Sequence, residues 1–175
     1  MKLCTLLLIM LITNQSMTTF NFNKSSTINN WQVVNDGVMG GRSSGSFNLD
    51  EDGHGVFKGE ISLENNGGFS SVRYRFEEIN TKQYSKILLR IKGDGKTYQF
   101  RIKERTTDSH SYITSFQTSK EWETISLNLV DLYPSFRGQK LNKPNYEKAG
   151  IEGIAFLIAN KKAEEFKLEI DYIKL

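Results

Sequence analysis

The stretch VFKGEISLE, residues 56–64, alternates apolar and polar side chains from Phe57 onward, with a glycine at one apolar position. Because successive side chains of an extended chain point to opposite faces, this run is typical of a strand with one buried face. Four other stretches share the period: FSSVRYRF (69–76), TYQFRIK (97–103), TISLNL (124–129) and EFKLEIDYI (165–173). A sixth, IEGIAFLIAN (151–160), is apolar at nearly every position from Ile154 to Ala159, which predicts a central strand covered on both faces.

Glycine-containing turns separate these predicted strands. In LLRIKGDGKTYQFRI, residues 88–102, the triplet Gly93-Asp94-Gly95 stands between two alternating runs and predicts a tight hairpin. NLDEDGHG, residues 48–55, predicts a second hairpin. No segment sustains a helical repeat. The pattern therefore predicts an all-β fold, an antiparallel β-sandwich or jelly roll, with a barrel as the alternative.

The composition argues against a nucleic-acid partner. The 175 residues are the size of one domain, and the formal net charge of +3 comes from 23 basic and 20 acidic residues that are interspersed along the chain. A nucleic-acid-binding protein is expected to cluster its basic residues, so we predict no nucleic-acid partner. The only cysteine is Cys4, which excludes an intramolecular disulfide and a thiolate metal cluster.

The N-terminus has the layout of a secretory signal. One lysine precedes an apolar run of about ten residues, Leu3 to Ile12, which is short for a membrane span. We interpret residues 1–17 as a signal peptide or N-terminal hydrophobic segment, residues 18–30 as a polar linker and residues 31–175 as the folded domain. The protein is accordingly expected to be exported, to the periplasm or a membrane-associated location.

A glycine-rich stretch, WQVVNDGVMGGRSSGSF, opens the predicted domain at residues 31–47. Its glycine spacing does not match a dinucleotide-binding turn, and no Gly-Lys-Ser/Thr triplet follows, as a Walker loop requires. The glycines are instead expected to supply turns and close backbone approaches. We expect the Asp36 carboxylate to accept hydrogen bonds from backbone amides of this loop, so that Met39 and Arg42 project from it as contacts.

Several motifs together carry a family resemblance. In chain order they are Trp31, NDGVMGGRSSG (35–45), FKGEIS (57–62), NNGGFSSVR (65–73), LRIKGDGKTYQFRI (89–102), Trp122, FRG (136–138) and FKLEIDYIKL (166–175). This arrangement resembles the CIA30 family, the complex I intermediate-associated protein 30 and its bacterial relatives. The resemblance implies a galactose-binding-like jelly roll. For the mitochondrial member it implies a chaperone role in assembling the membrane arm of respiratory complex I.

The family motifs and their charged residues provide the candidate binding positions. They are Asp36, Met39, Arg42, Arg73, Asp94 and Arg137. Arg137 lies in the FRG motif, within a 23-residue segment that breaks the strand rhythm, and is expected either to tie this loop to the body or to contact a partner. A basic stripe is expected if the strands that carry Arg73, Arg75, Lys92, Lys96, Arg101, Lys103 and Arg105 are neighbours.

The sequence assigns no catalytic residue, cofactor or metal. His54 and His110 both fall in predicted loops, and no nucleophile-elbow pattern accompanies them. Asn48, Asp50, Asp52 and Gly53 imitate the start of a calcium loop, but the position of the terminal bidentate acid is Gly59. We therefore predict that the protein is not an enzyme.

Two functions fit these observations. The first is a chaperone-like module that binds protein partners, including subunits of a membrane complex that could be respiratory. The second is an exported carbohydrate-binding module, in which exposed tyrosines stack on sugars. The candidate tyrosines are Tyr84, Tyr112, Tyr133 and Tyr146. Two or three coplanar exposed rings on one face would distinguish the second function from the first.

Overall fold

The structure is a computed structural model that describes residues 18–147 and 149–175. The predicted signal segment and Cys4 lie outside these residues. The thirteen strands, in chain order, are β1 Thr18–Asn21, β2 Trp31–Asn35, β3 Ser44–Leu49, β4 Gly55–Ile61, β5 Ser70–Asn80, β6 Lys86–Lys92, β7 Thr97–Lys103, β8 Ser111–Gln117, β9 Glu123–Asn128, β10 Tyr133–Phe136, β11 Gln139–Lys140, β12 Gly150–Ile158 and β13 Glu164–Lys174. Three short 3-10 helices connect some of them: Asp36–Met39, Glu64–Asn66 and Leu129–Asp131.

The strands form two antiparallel sheets. One has six strands in the order β3-β4-β13-β6-β9, with β1 beside the C-terminal part of β13. The other has seven strands in the order β11-β10-β8-β7-β12-β5-β2. The predicted all-β, antiparallel sandwich is therefore confirmed.

The core lies between the sheets and is built by the alternation seen in the sequence. Phe57 and Ile61 of β4 are buried, while Lys58 and Glu60 between them are exposed. The predicted central strand is also confirmed, because β12 lies between β7 and β5 and is buried along most of its length. Leu63 is the exception. It lies beyond the end of β4 and is 46% exposed. The buried face of this strand therefore ends at Ile61, although the alternation in the sequence continues to Leu63.

The hairpin predicted at Gly93-Asp94-Gly95 is wrong. β6 belongs to the six-stranded sheet and pairs with β13 and β9, whereas β7 belongs to the seven-stranded sheet. The segment between them crosses from one sheet to the other. Turn residues indicate where the chain reverses, but they do not specify which strand becomes the neighbour. The second predicted hairpin is confirmed, since β3 pairs with β4 and Leu49 lies opposite Gly55.

The folded part begins earlier than Trp31, so the predicted linker over residues 18–30 is wrong at its N-terminal end. β1 pairs with β13, and the amide of Phe22 donates to the Asp171 carbonyl at 2.8 Å. Phe20 lies edge-on to Trp31, with ring centroids 5.3 Å apart, and Phe22 is buried beside them. The polar composition of this segment concealed two aromatic side chains that complete one end of the core.

Candidate functional site

Asp36 joins the two glycine-rich stretches of the sequence. It lies at the start of the first 3-10 helix and is only 4% exposed. Its carboxylate accepts hydrogen bonds from the Ser43 amide at 3.0 Å and the Ser43 hydroxyl at 2.5 Å. It also accepts from the amides of Gly68 at 2.6 Å and Phe69 at 3.2 Å. One side chain therefore binds the loop before β3 to the loop before β5.

Two glycines make this arrangement possible. A Cβ at Gly41 or at Gly67 would overlap the Asp36 carboxylate. The backbone conformation does not require glycine at either position, since neither Gly41 nor Gly67 has a positive φ. One glycine of each GG pair therefore provides space for a buried carboxylate.

Hydrogen bonding keeps Asp36 ionised. Burial by itself raises the pKa of this carboxyl, but the Ser43 hydroxyl and the amides of Gly68, Phe69 and Ser43 donate to it and outweigh burial. The pKa of Asp36 consequently lies below its ordinary value. The group has a stable negative charge with four donors, which suits a structural anchor.

Arg42 and Met39 belong to the same loop as Asp36. The Arg42 side chain is 68% exposed and pairs with the Glu64 carboxylate at 2.8 Å. Asn65 donates to the Gly40 carbonyl at 2.8 Å, which adds a second contact between the two loops. Met39 is the last residue of the first 3-10 helix.

Asp94 lies in the crossover between the sheets. Its carboxylate accepts hydrogen bonds from the Tyr98 hydroxyl at 3.2 Å and from the Lys167 amide of β13 at 3.0 Å. It also pairs with Lys96 at 2.8 Å. Burial, followed by the charge of Asp94, raises the pKa of Tyr98 well above its usual range. Asp94 thus connects strands of different sheets.

Arg137 lies at the tip of the β10–β11 hairpin. Phe136 pairs with Gln139, so Arg137 and Gly138 form a two-residue loop, and both have positive φ, 49° and 79°. This is the backbone of a type I′ turn, which favours Asn or Gly over arginine at its first position. The Arg137 guanidinium lies 5.4 Å from the centroid of the Phe136 ring, and Phe136 is 41% exposed.

Arg73 belongs to a set of cations on the outer face of the seven-stranded sheet. β12 separates β5 from β7, and its register places Arg73, Ala155 and Arg101 in one row. The next row holds Arg75, Gly153 and Lys103. We call the four cationic side chains, Arg73, Arg75, Arg101 and Lys103, the cationic grid.

The cationic grid is smaller than the basic stripe expected from the sequence. Lys92 lies on β6 of the other sheet, 3.9 Å from the Glu169 carboxylate, and Lys96 pairs with Asp94. Both are therefore separated from the grid. The sequence did not indicate that β12, with Gly153 and Ala155, lies between the two basic strands, because these two residues are at least fifty positions from the cations that they separate.

The four candidate tyrosines do not form one platform. Tyr146 is buried, and its hydroxyl lies 2.5 Å from the Thr81 hydroxyl. Tyr84 and Tyr112 pack against the core. Tyr133 lies on the outer face of β10, with the Lys140 ammonium 5.2 Å from its ring centroid. Among the tyrosines of the described residues, only Tyr133 occupies an outward-facing strand position of the seven-stranded sheet.

Two further observations concern residues 18–147 and 149–175 only. No helix there is both long and apolar enough to cross a membrane. No group of three or more His, Cys, Asp or Glu side chains there is arranged to hold a metal ion. Asp50, in the turn that imitates a calcium loop, accepts hydrogen bonds from the Asp52 and His54 amides at 3.0 and 2.8 Å.

Solved structures with this fold include sugar-binding proteins. A family 11 carbohydrate-binding module of a Clostridium thermocellum cellulosomal cellulase has a TM-score of 0.66 and 15% identity, over 92% of this chain and 94% of that one. A family 29 carbohydrate-binding module has a TM-score of 0.52 and 10% identity, over 91% and 90%. At these identities the likeness concerns the fold, which is that of a galactose-binding-like jelly roll.

Relatives in sequence point to one family. The mitochondrial complex I intermediate-associated protein 30 of Drosophila melanogaster is 22% identical over 89% of this chain and 61% of its own length. The Mus musculus protein of the same name is 22% identical over 93% and 56%. The chain thus spans about three fifths of these relatives. Residues 20–170 match the model of the complex I intermediate-associated protein 30 family, and the chain therefore belongs to the CIA30 family.

Proposed function

We propose that this CIA30-family domain is a non-catalytic binding module that contacts a protein subunit of a membrane complex through the β10–β11 hairpin. One observation carries the proposal: Phe136 is 41% exposed and Arg137 stacks on it in a left-handed backbone conformation. Aromatic residues and arginine dominate the energetics of protein interfaces. The hairpin presents one of each, side by side, at the edge of a sheet.

The backbone of Arg137 supports a contact role. A non-glycine residue with positive φ is uncommon, and such strain persists only where the surroundings maintain it or a function requires the side chain. Glycine would fit the same turn without strain. Arginine at this position therefore costs conformational energy that a partner contact would offset.

The names of the relatives suggest the class of partner. The Drosophila melanogaster and Mus musculus proteins are both described as complex I intermediate-associated and mitochondrial. This chain spans only 61% and 56% of the length of these relatives. Their names therefore do not establish an assembly-factor role for this chain, and we propose that role here. Export, predicted from residues 1–17, stays a prediction. It would place the partner on the outer side of a membrane.

Partner capture from cells tests this proposal. The tagged full-length protein is cross-linked in its own cells, and the captured proteins from membrane fractions are identified by mass spectrometry. The Arg137→Gly variant removes the side chain and keeps the turn, so its thermal stability is expected to equal or exceed that of the wild type. We expect it to lose about 90% of the captured membrane-complex subunits, a tenfold weakening that corresponds to about 1.4 kcal/mol.

Lys161 provides a matched control. It is exposed and also has a left-handed backbone, with φ of 58°, but it lies in the turn between β12 and β13. Lys161→Gly should retain capture. Equal capture by wild type and Arg137→Gly, or no membrane-complex subunit above background with the wild type, would contradict the proposal.

A carbohydrate-binding function has weaker support. It rests on the fold that the chain shares with sugar-binding modules, and fold alone does not carry function. Sugars are expected to stack on two or three coplanar exposed rings. Among the described residues, Tyr133 is the only aromatic ring at an outward-facing strand position of the seven-stranded sheet, and Lys140 already lies over it. The exposed hairpin therefore favours a protein partner.

A further inference from the structure

The cationic grid has a regular geometry. Arg73 and Arg101 are separated by one strand, as are Arg75 and Lys103. Neighbouring strands lie about 4.8 Å apart, so the backbones within each row are about 10 Å apart. The two rows are two residues apart along each strand, or about 6.7 Å. The floor between the cations is formed by Ala155 and Gly153, two small residues that are themselves buried between the flanking strands.

In the described part of the chain, no carboxylate forms an ion pair with the grid. Among the ion pairs of the described residues, none involves any of its four members. The Arg73 Nε donates to the Ser71 hydroxyl at 3.3 Å, and Arg101 donates from Nε and Nη2 to the Gln99 side-chain oxygen at 3.2 and 2.8 Å. Neutral acceptors thus orient both guanidinium groups and leave their positive charges available.

Lys103 of the cationic grid has a backbone partner. The Lys103 ammonium donates to the Asp108 carbonyl, and the charge of the Asp108 carboxylate raises the pKa of Lys103. Arg75 is exposed. The charge of the grid is therefore balanced only in part, and at one corner.

The four cations repel one another in the free protein. Burial, and then the charge of Arg75, lowers the pKa of Arg73. Burial, and then Arg73, lowers the pKa of Arg101. Burial also lowers the pKa of Lys103, with Asp108 opposing it and Arg73 and Arg75 adding to it. Like charges held together on a partly buried surface cost stability, and a bound anion would reduce that cost.

We propose that the cationic grid binds an extended acidic segment of the partner protein, with carboxylates at alternate positions. This inference rests on the proposed function, because it takes the partner to be a protein. Charge complementarity supplies the attraction, and the arginine forks can bind carboxylates in bidentate fashion. The spacing supplies the selectivity. Alternate side chains of an extended peptide repeat at about 6.7 Å, which equals the separation of the two rows.

The small residues of the floor suit this occupant, because neither projects a long side chain between the rows. A segment that runs along β12 would place one carboxylate over Ala155, between Arg73 and Arg101. The next carboxylate on the same face would lie over Gly153, between Arg75 and Lys103. A long side chain at either floor position would occupy the space of a carboxylate.

Binding of a synthetic peptide to the purified full-length protein tests the inference. The probe is a fluorescent peptide of alternating Glu and Thr, and the control peptide has the same composition with its Glu residues in one block and its Thr residues in another. We expect the alternating peptide to bind more tightly, with an affinity that falls as salt increases. Equal affinity for the two peptides would overturn the inference.

The double variant Arg73→Gln and Arg101→Gln removes one row of the grid. We expect its affinity for the alternating peptide to fall at least about tenfold, because hydrogen bonds to charged groups are the stronger ones. Its melting temperature should not fall, since two mutually repelling charges are removed. This combination separates a binding role from a structural one.

A second double variant controls for net charge. Lys58→Gln and Lys86→Gln remove two exposed lysines of the six-stranded sheet, neither of which forms an ion pair in the described part of the chain. We expect its affinity to change by less than about twofold. A loss equal to that of the grid variant would show non-specific attraction and overturn the inference. Tighter, grid-dependent binding of a sulfated oligosaccharide would also overturn it, in favour of an acidic glycan.

The peptide-binding test of the cationic grid and the capture test of the proposed function can fail independently. Peptide binding uses the purified protein and the grid variants, whereas partner capture depends on Arg137→Gly. Loss of capture with Arg137→Gly, together with no grid-dependent peptide binding, would retain the protein partner and reject the acidic segment. Grid-dependent peptide binding without capture of a membrane-complex subunit would reject the assembly role of the hairpin.

Discussion

At the residue scale, Asp36 accounts for the two glycine-rich motifs. Its buried carboxylate accepts four hydrogen bonds from Ser43, Gly68 and Phe69, and Gly41 and Gly67 give it room. The sequence predicted that Asp36 accepts backbone amides, but it placed all the donors in the first loop. Two of the donors come from a loop more than thirty residues away, which a local pattern cannot indicate.

Asp36→Ala should therefore destabilise the protein. We expect the free energy of unfolding at pH 7 to fall by about 2–4 kcal/mol, because several donors to a buried charge lose their acceptor. Urea unfolding measures the change. Asp52→Ala, at an exposed turn position, should alter stability by less than about 0.5 kcal/mol. Unchanged stability of Asp36→Ala would exclude the anchor role.

The same residue predicts a pH dependence. The pKa of Asp36 is lower in the folded state than in the unfolded chain, so its contribution is fully present above the unfolded value of about 3.9. It is lost as the pH falls from there through the folded pKa. Unfolding measured between pH 7 and pH 2.5 should show the difference between wild type and Asp36→Ala shrinking only below about pH 4. A constant difference across this range would contradict the prediction.

At the element scale, β1 shows how a polar segment becomes part of a sheet. Thr18–Asn21 reads as a linker from composition, yet it pairs with β13 and brings Phe20 and Phe22 against Trp31. The strand is too short for its alternation to be recognised. Its stability comes from a partner at the opposite end of the chain.

Phe22→Ala tests whether this segment belongs to the core. We expect a loss of about 3–5 kcal/mol in the free energy of unfolding, the usual result of removing a buried phenyl ring. Phe136→Ala is the matched control, because that ring is 41% exposed and should cost far less. Denaturant unfolding of both variants gives the comparison. Similar small losses would mean that residues 18–22 do not contribute to the core.

At the scale of the whole molecule, the chain repeatedly crosses between two sheets, and Asp94 secures one of these crossings. It receives hydrogen bonds from Tyr98 of β7 and Lys167 of β13. A hairpin at this point would have left β6 and β7 side by side. The crossover instead places β7 beside β12 and so completes the cationic grid.

A double-mutant cycle of Asp94→Ala and Tyr98→Phe tests the link between the sheets. Each single variant should lower the free energy of unfolding by about 1–3 kcal/mol, and the coupling should be about 0.5–3 kcal/mol, because the two side chains share a hydrogen bond. Urea unfolding of the four proteins supplies the values. Strict additivity would show that the Asp94–Tyr98 contact does not contribute.

The strand class, the sandwich and the family could all be predicted from the amino-acid sequence. Alternation at Phe57 and Ile61 is a local property that follows from the geometry of an extended chain, and the order of the CIA30 motifs lies in the sequence. The neighbours of each strand, the donors around Asp36 and the position of Arg73 opposite Arg101 across Ala155 became known from the fold alone. These features depend on pairings between distant segments, and a period of two residues carries no information about the identity of the partner strand.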